Sequence, residues 1–278
     1  MPHYLRLKHC SVLAYITLTV LLAFTGVAMA AQTGTLKLVS VGIGDRDNMT
    51  LRAHKAIVNA DVFLAMHPEQ TRAKLADLIG DKPLHDAGHG LFGRMGHRGS
   101  AEQRAAQQDK TRQIIRSAVA GGKHVVILDY GDSTIYGPQT GYLKEFADLN
   151  PEVVPGISSF NAANAALKCG ITGGSQSHSV IITAAMGARE GYKGKDTLTK
   201  LAETQSTMVF FTMGLNLSEV VKQLKTQYDA ITPMAIVLYA GSSDKEQVIR
   251  GTLNTITTQV EDDKLPFEHL IYVGDFLR

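Results

Sequence analysis

The sequence has no tryptophan, two cysteines, eight prolines and an aromatic content of 6%. Two cysteines exclude a disulfide scaffold and a cysteine-rich zinc site. There is no excess of charge either: 28 Lys and Arg stand against 26 Asp and Glu. The strongly basic footprint of a bulk nucleic-acid binder is therefore missing, and no nucleic-acid partner is expected. Charged residues make up 19% and hydrophobic residues 44%, which excludes a disordered chain. What is present is 278 residues, enough for one large domain or two of modest size.

The first thirty residues distort these totals. Arg6 and Lys8 form a short basic start, Ser11 to Met29 is an uncharged and mostly apolar run, and Ala28-Met29-Ala30 closes it. These are the three parts of a secretory signal peptide, with cleavage expected after Ala30. The chain is then exported, with the periplasm as destination; the alternative is an uncleaved segment just long enough to anchor it in a bilayer. Residues 1–30 carry two cations and no anion, so 26 charges of each sign remain and the mature net charge is zero. One cysteine, Cys169, is left, and it reads as a buried, inert thiol.

Beyond residue 34 short β-rich runs alternate with helical stretches. Strands are expected at 36–41, 62–65, 125–128, 153–154, 180–183, 208–212, 234–239, 248–253 and 269–273. Helices are expected from Thr50 as N-cap, with Leu51, His54, Ile57 and Val58 on one face, and at 70–79, 101–120, 142–149, 158–167 and 217–227. The alternation predicts an α/β chain with a largely parallel sheet. So many strands favour two sheets and two domains, 35–155 and 156–278, with the hinge near residues 150–157. Residues 83–100 hold five glycines with His85, His89 and His97, and read as a long flexible loop of the lid or binding kind. His85 and His89 have the i, i+4 spacing of a metal pair on a helix, but Gly88 and Gly90 argue against a helix there. No metal site is expected.

In open α/β sheets ligands sit beyond the carboxyl ends of the strands. The turns to inspect are Gly42-Ile43-Gly44-Asp45 after the first strand and Tyr130-Gly131-Asp132-Ser133 after the strand at 125–128. Gly131 allows close backbone approach. Asp132 either offers an acceptor to a ligand or caps the structure that follows.

Taken together, Gly42 to Asp45, Leu128 to Gly137, Val153-Val154-Pro155-Gly156-Ile157-Ser158-Ser159, Met213-Gly214 and Gly241-Ser242 stand in an order and spacing that resembles the tetrapyrrole (corrin and porphyrin) methyltransferase family. The resemblance runs from about residue 35 to the C-terminus. It implies two α/β domains with a cofactor cleft between them, a homodimer, and S-adenosylmethionine as methyl donor. It places donor contacts on Gly131, Asp132, Ile135, Ser158, Ser159, Met213, Ala240 and Gly241.

The sequence departs from the family pattern in two turns. The first turn lacks the Pro-Gly pair that the family carries ahead of its aspartate, and Ser133 replaces a proline, which is expected to free the second turn. His67 stands where sirohaem-branch members carry an acidic residue; it is a candidate base, or else a loop histidine beside Pro68. A tetrapyrrole-like substrate carries several carboxylates, so Arg94, His97 and Arg98 are candidate contacts for it. Two readings follow. One is a methyltransferase of a precorrin- or uroporphyrinogen-like substrate. The other is an exported member of the fold that binds a tetrapyrrole or a metal without methylating, which the export signal favours because the methyl donor is made in the cytosol.

Overall fold

The computed structural model describes residues 34–93, 99–184, 186–211, 216–260 and 265–278. Residues 1–30, expected to be a signal peptide, and Met213, Arg94, His97 and Arg98 lie outside them. Ten strands form two five-stranded sheets. In the first half, β1 (Thr35–Ser40), α1 (Leu51–Val58), β2 (Val62–Ala65), α2 (Pro68–Ile79), β3 (Leu84–Asp86), α3 (Ala101–Ala120), β4 (His124–Asp129), α4 (Gly141–Glu145) and β5 (Glu152–Val154) follow in order. The sheet order is β3-β2-β4-β1-β5, and every pair is parallel.

The reason lies in the burial of both faces. Leu36, Leu38, Val125 and Ile127 pack with Ile115 of α3 and Tyr142 of α4. Val39, Val126 and Leu128 pack on the opposite side with Ala53 and Ile57 of α1 and Leu75 and Ile79 of α2. A strand covered by helices on both faces reads as a continuous apolar run, as β4 does. Thr50 caps α1 by accepting from the Ala53 amide at 3.1 Å. Ser100 and Gln103 form a reciprocal capping box at α3.

The second half contains α5 (Ser159–Leu167), β6 (Val180–Thr183), α6 (Leu198–Ala202), β7 (Thr207–Phe211), α7 (Leu217–Leu224), β8 (Pro233–Leu238), β9 (Gln247–Thr252), α8 (Ile256–Gln259) and β10 (His269–Val273). Its order is β6-β7-β10-β8-β9. Alternate residues divide the faces: Met208, Phe210, Ile236 and Ile271 meet α6 and α7, while Val209, Val237, Leu270 and Tyr272 meet α5.

Four expectations need correction. The second sheet is not largely parallel: only β6 and β7 run together, and β7–β10, β10–β8 and β8–β9 are antiparallel. The connection from β8 to β9 is too short for a crossover helix, so it must turn back as a hairpin. Residues 83–100 are not all loop, because β3 adds an edge strand to β2 there. On α1 the buried residues are Ala53 and Ile57; Leu51 is 80% and Val58 44% exposed, since the small alanine side lets the helix sit close to the sheet. Cys169 is half-buried at the margin of the α5 face rather than sealed inside.

Candidate active site

The carboxyl ends of β1, β4 and β5 bring three turns together. Gly42 and Gly131 exchange backbone bonds of 3.2 and 2.8 Å, which fasten the first turn to the turn after β4. Gly131 has φ +66°, a left-handed conformation that glycine adopts without strain. Its bare Cα faces the start of α5: a Cβ added there would lie 3.8 Å from Ser158 Cα and 4.0 Å from the Ser159 nitrogen. Ser158 is the N-cap of α5 and shares a capping box with Asn161. The exposed amides of that helix end carry partial positive charge and suit a carboxylate.

Asp132 neither starts an α-helix nor stands free. One carboxylate oxygen accepts from the Thr134 amide at 2.8 Å and the Thr134 hydroxyl at 2.5 Å; the other accepts from the Gly156 amide at 3.2 Å. It thereby ties the turn after β4 to the turn after β5. Burial pushes its pKa up, but these bonds outweigh burial and hold it below the usual carboxylate value. Ile135 is half-buried on the same turn, its amide on the Asp132 carbonyl at 3.0 Å.

Ala240 and Gly241 approach from the second sheet. Ala240 packs with Ala162 and Ala163 of α5. The Gly241 carbonyl accepts from the Asp45 amide at 2.8 Å and from Asn48 Nδ2 at 3.0 Å. Asp45 accepts from the Ser243 amide at 2.9 Å, and its bonds to the Ser243 side chain and backbone hold the carboxyl below its ordinary range. A Cβ at Gly44 would collide with the Gly241 carbonyl, so the shortened first turn is a close contact between the two halves. His67 stands two residues past the end of β2, which pairs with β4, and is exposed at the N-terminus of α2, with no capping bond from its side chain.

The structure adds roles that the sequence pattern did not give. Ser133 is fully buried; its amide donates to Ser40 Oγ at 2.9 Å and the two hydroxyls are 2.9 Å apart. The turn is thus not freed by loss of the family's proline, because a proline has no amide to make this bond. Asp129 ends β4 almost fully buried, and accepts from the Tyr130 amide at 3.1 Å and the Gln139 amide at 3.3 Å. Burial raises its pKa to about 7, against these two bonds, and the nearby Asp132 charge adds to the rise. A single acid closing the apolar run Val125–Leu128 was the available sequence signal. Gln139, also fully buried, reaches the Gly88 carbonyl with Nε2 at 2.7 Å.

Close glycine turns at strand ends, facing a capped helix from a second sheet, define a two-domain α/β enzyme of small-molecule chemistry. The family model for tetrapyrrole (corrin/porphyrin) methylases matches residues 35–257, and the chain belongs to that family. It is 33% identical over 246 residues to cobalt-precorrin-4 C(11)-methyltransferase of Methanocaldococcus jannaschii, covering 86% of this chain and 87% of that one. Among solved structures it is similar to cobalt precorrin-4 methyltransferase, a cobalamin biosynthetic enzyme, with a TM-score of 0.68, 25% identity, and coverage of 91% and 100% of the two chains. It also shares the fold of uroporphyrin-III C-methyltransferase from Thermus thermophilus complexed with S-adenosylhomocysteine, with a TM-score of 0.63, 22% identity, and coverage of 88% and 99%.

Proposed function

We propose that the protein is an S-adenosylmethionine-dependent methyltransferase acting on a ring carbon of a precorrin-type tetrapyrrole. The observation that carries this is the approach of Gly131 to the start of α5, within a chain of this family. The residues present fit the donor: a bare left-handed glycine, a helix N-terminus, and small side chains at Ala240 and Gly241 suit an adenosyl group and its amino-acid end. Bound there, the donor supplies a methyl group already activated by its sulfonium.

This chain's residues then have positioning to do rather than bond-making. Gly131, Ser158 and Ser159 hold the donor, Asp132 keeps their two turns in register, and Ala240 and Gly241 close the side of the second sheet. Ile135 and Met213 complete the donor contacts. A cleft that excluded water once the donor was bound would favour transfer to carbon over hydrolysis. Arg94, His97 and Arg98 are proposed to meet the acceptor's carboxylates. His67, exposed two residues past β2, is a weaker candidate for moving a proton.

The proposal extends to a homodimer, to folding units 35–155 and 156–278, and to export with removal of residues 1–30, supported by the basic start, the apolar run and the Ala28-Met29-Ala30 end. Calorimetric titration with S-adenosylhomocysteine tests the enzyme reading. Binding is expected; no detectable binding would favour the non-methylating alternative.

A further inference from the structure

Tyr136 follows Ile135 on the turn after β4, and its backbone has φ +60°. A bulky aromatic residue in the left-handed region is a genuine outlier, and such strain persists only where the surroundings hold it. Here the surroundings are the other half of the molecule. The Tyr136 ring lies against Phe211 at the end of β7, with centroids 4.8 Å apart and planes tilted by 39°. Its phenol is hydrogen-bonded to the Ala184 backbone beyond β6. With its ring on Phe211, the residue nonetheless remains 39% exposed. Ile182 is on the same sheet face as Phe211, by its register with Val209, and is 37% exposed. An apolar surface therefore continues from the donor turn along the end of the second sheet.

We propose that Tyr136, backed by Phe211, is an aromatic wall on the acceptor side of the site, against which one pyrrole-derived ring of the macrocycle packs. This rests on the methyltransferase reading above. A flat, apolar, π-rich ring is the part of a polycarboxylate macrocycle that such a wall recognises, while the carboxylates remain for the cationic side chains. The left-handed backbone turns the ring away from the Asp132 cluster and towards the second sheet.

The full-length chain and its Tyr136→Gly, Tyr136→Phe and Phe211→Leu variants would be titrated with S-adenosylhomocysteine and, separately, with uroporphyrin III. Glycine relieves the backbone strain, so folding is retained while the wall is removed. Tyr136→Gly is expected to weaken porphyrin binding about tenfold, with the S-adenosylhomocysteine affinity within about twofold of the parent. Phe211→Leu should act in the same direction more weakly, and Tyr136→Phe should keep the porphyrin affinity. Unchanged porphyrin affinity in Tyr136→Gly, or a loss of S-adenosylhomocysteine affinity as large as the loss for porphyrin, would overturn the wall. So would a parent protein that binds S-adenosylhomocysteine and not the porphyrin. A parent that binds no S-adenosylhomocysteine would instead undo the methyltransferase reading beneath it.

Discussion

Two buried side chains decide how the turn after β4 is held. Asp129 has its carboxyl raised from the usual 3.8 to about 7 in the folded chain, chiefly by burial. The folded state therefore keeps this proton at pH values where the unfolded chain has released it. Its contribution to stability is complete below about pH 4 and is lost as pH rises through about 7. Between pH 5 and 8 the parent should lose on the order of 2 kcal/mol from this group, and Asp129→Asn should lack that slope. Urea denaturation at several pH values checks this; equal slopes in the two proteins would contradict it. Ser133 gives the second case. Ser133→Pro restores the family's residue but removes the bond to Ser40 and leaves a buried hydroxyl without its partner. A loss of about 1–3 kcal/mol in denaturant stability is expected. Gly131 and Ser158 were legible because their residue types announce a special backbone and a cap. Ser40, Ser133 and Gln139 were not, because they are ordinary until two distant strands bring them together.

Among the elements, those with strong local signals appeared where the sequence put them. α3, with its Ser100 cap and Gly121 stop, spans the expected residues, and β2, β6 and β10 do the same. β3 was missed because it is three residues long, half-exposed and set among glycines, so nothing local distinguishes it from loop. The face of α1 was misjudged because the larger side chains were chosen over the alanines that pack. Strand direction in the second sheet depends on connection length more than on periodicity, so an alternating pattern misled there. Under the proposed function the critical element is α5. Ser158→Ala removes its capping box and should cost about 1 kcal/mol of stability. If the helix end also meets the donor, S-adenosylhomocysteine binding should weaken with it. Thermal melts and calorimetry on the same variant separate the two effects.

For the molecule as a whole, the two halves meet at the first turn, through backbone and the side chains of Asp45 and Asn48, and again where Tyr136 lies on Phe211. Asn48 donates to the carbonyls of Ile43 and Gly241, each at 3.0 Å, so one side chain spans the junction. Asn48→Ala should leave both sheets folded and loosen their docking. Hydrogen exchange of the amides at 241–243 should speed up while exchange in β4 stays unchanged; protection unchanged at both would show that the junction is held elsewhere. The close packing of this turn is consistent with that role, since a Cβ at Gly44 would collide with the Gly241 carbonyl.

The central claim is that the donor binds where Gly131 faces the start of α5. Its most direct test is calorimetric titration of S-adenosylhomocysteine into the parent protein and into Gly131→Arg, with thermal melts confirming that the variant is folded. Arginine would fill the space in front of Ser158 and Ser159. The account predicts saturable binding by the parent and none by the folded variant; equal affinity in both would contradict it.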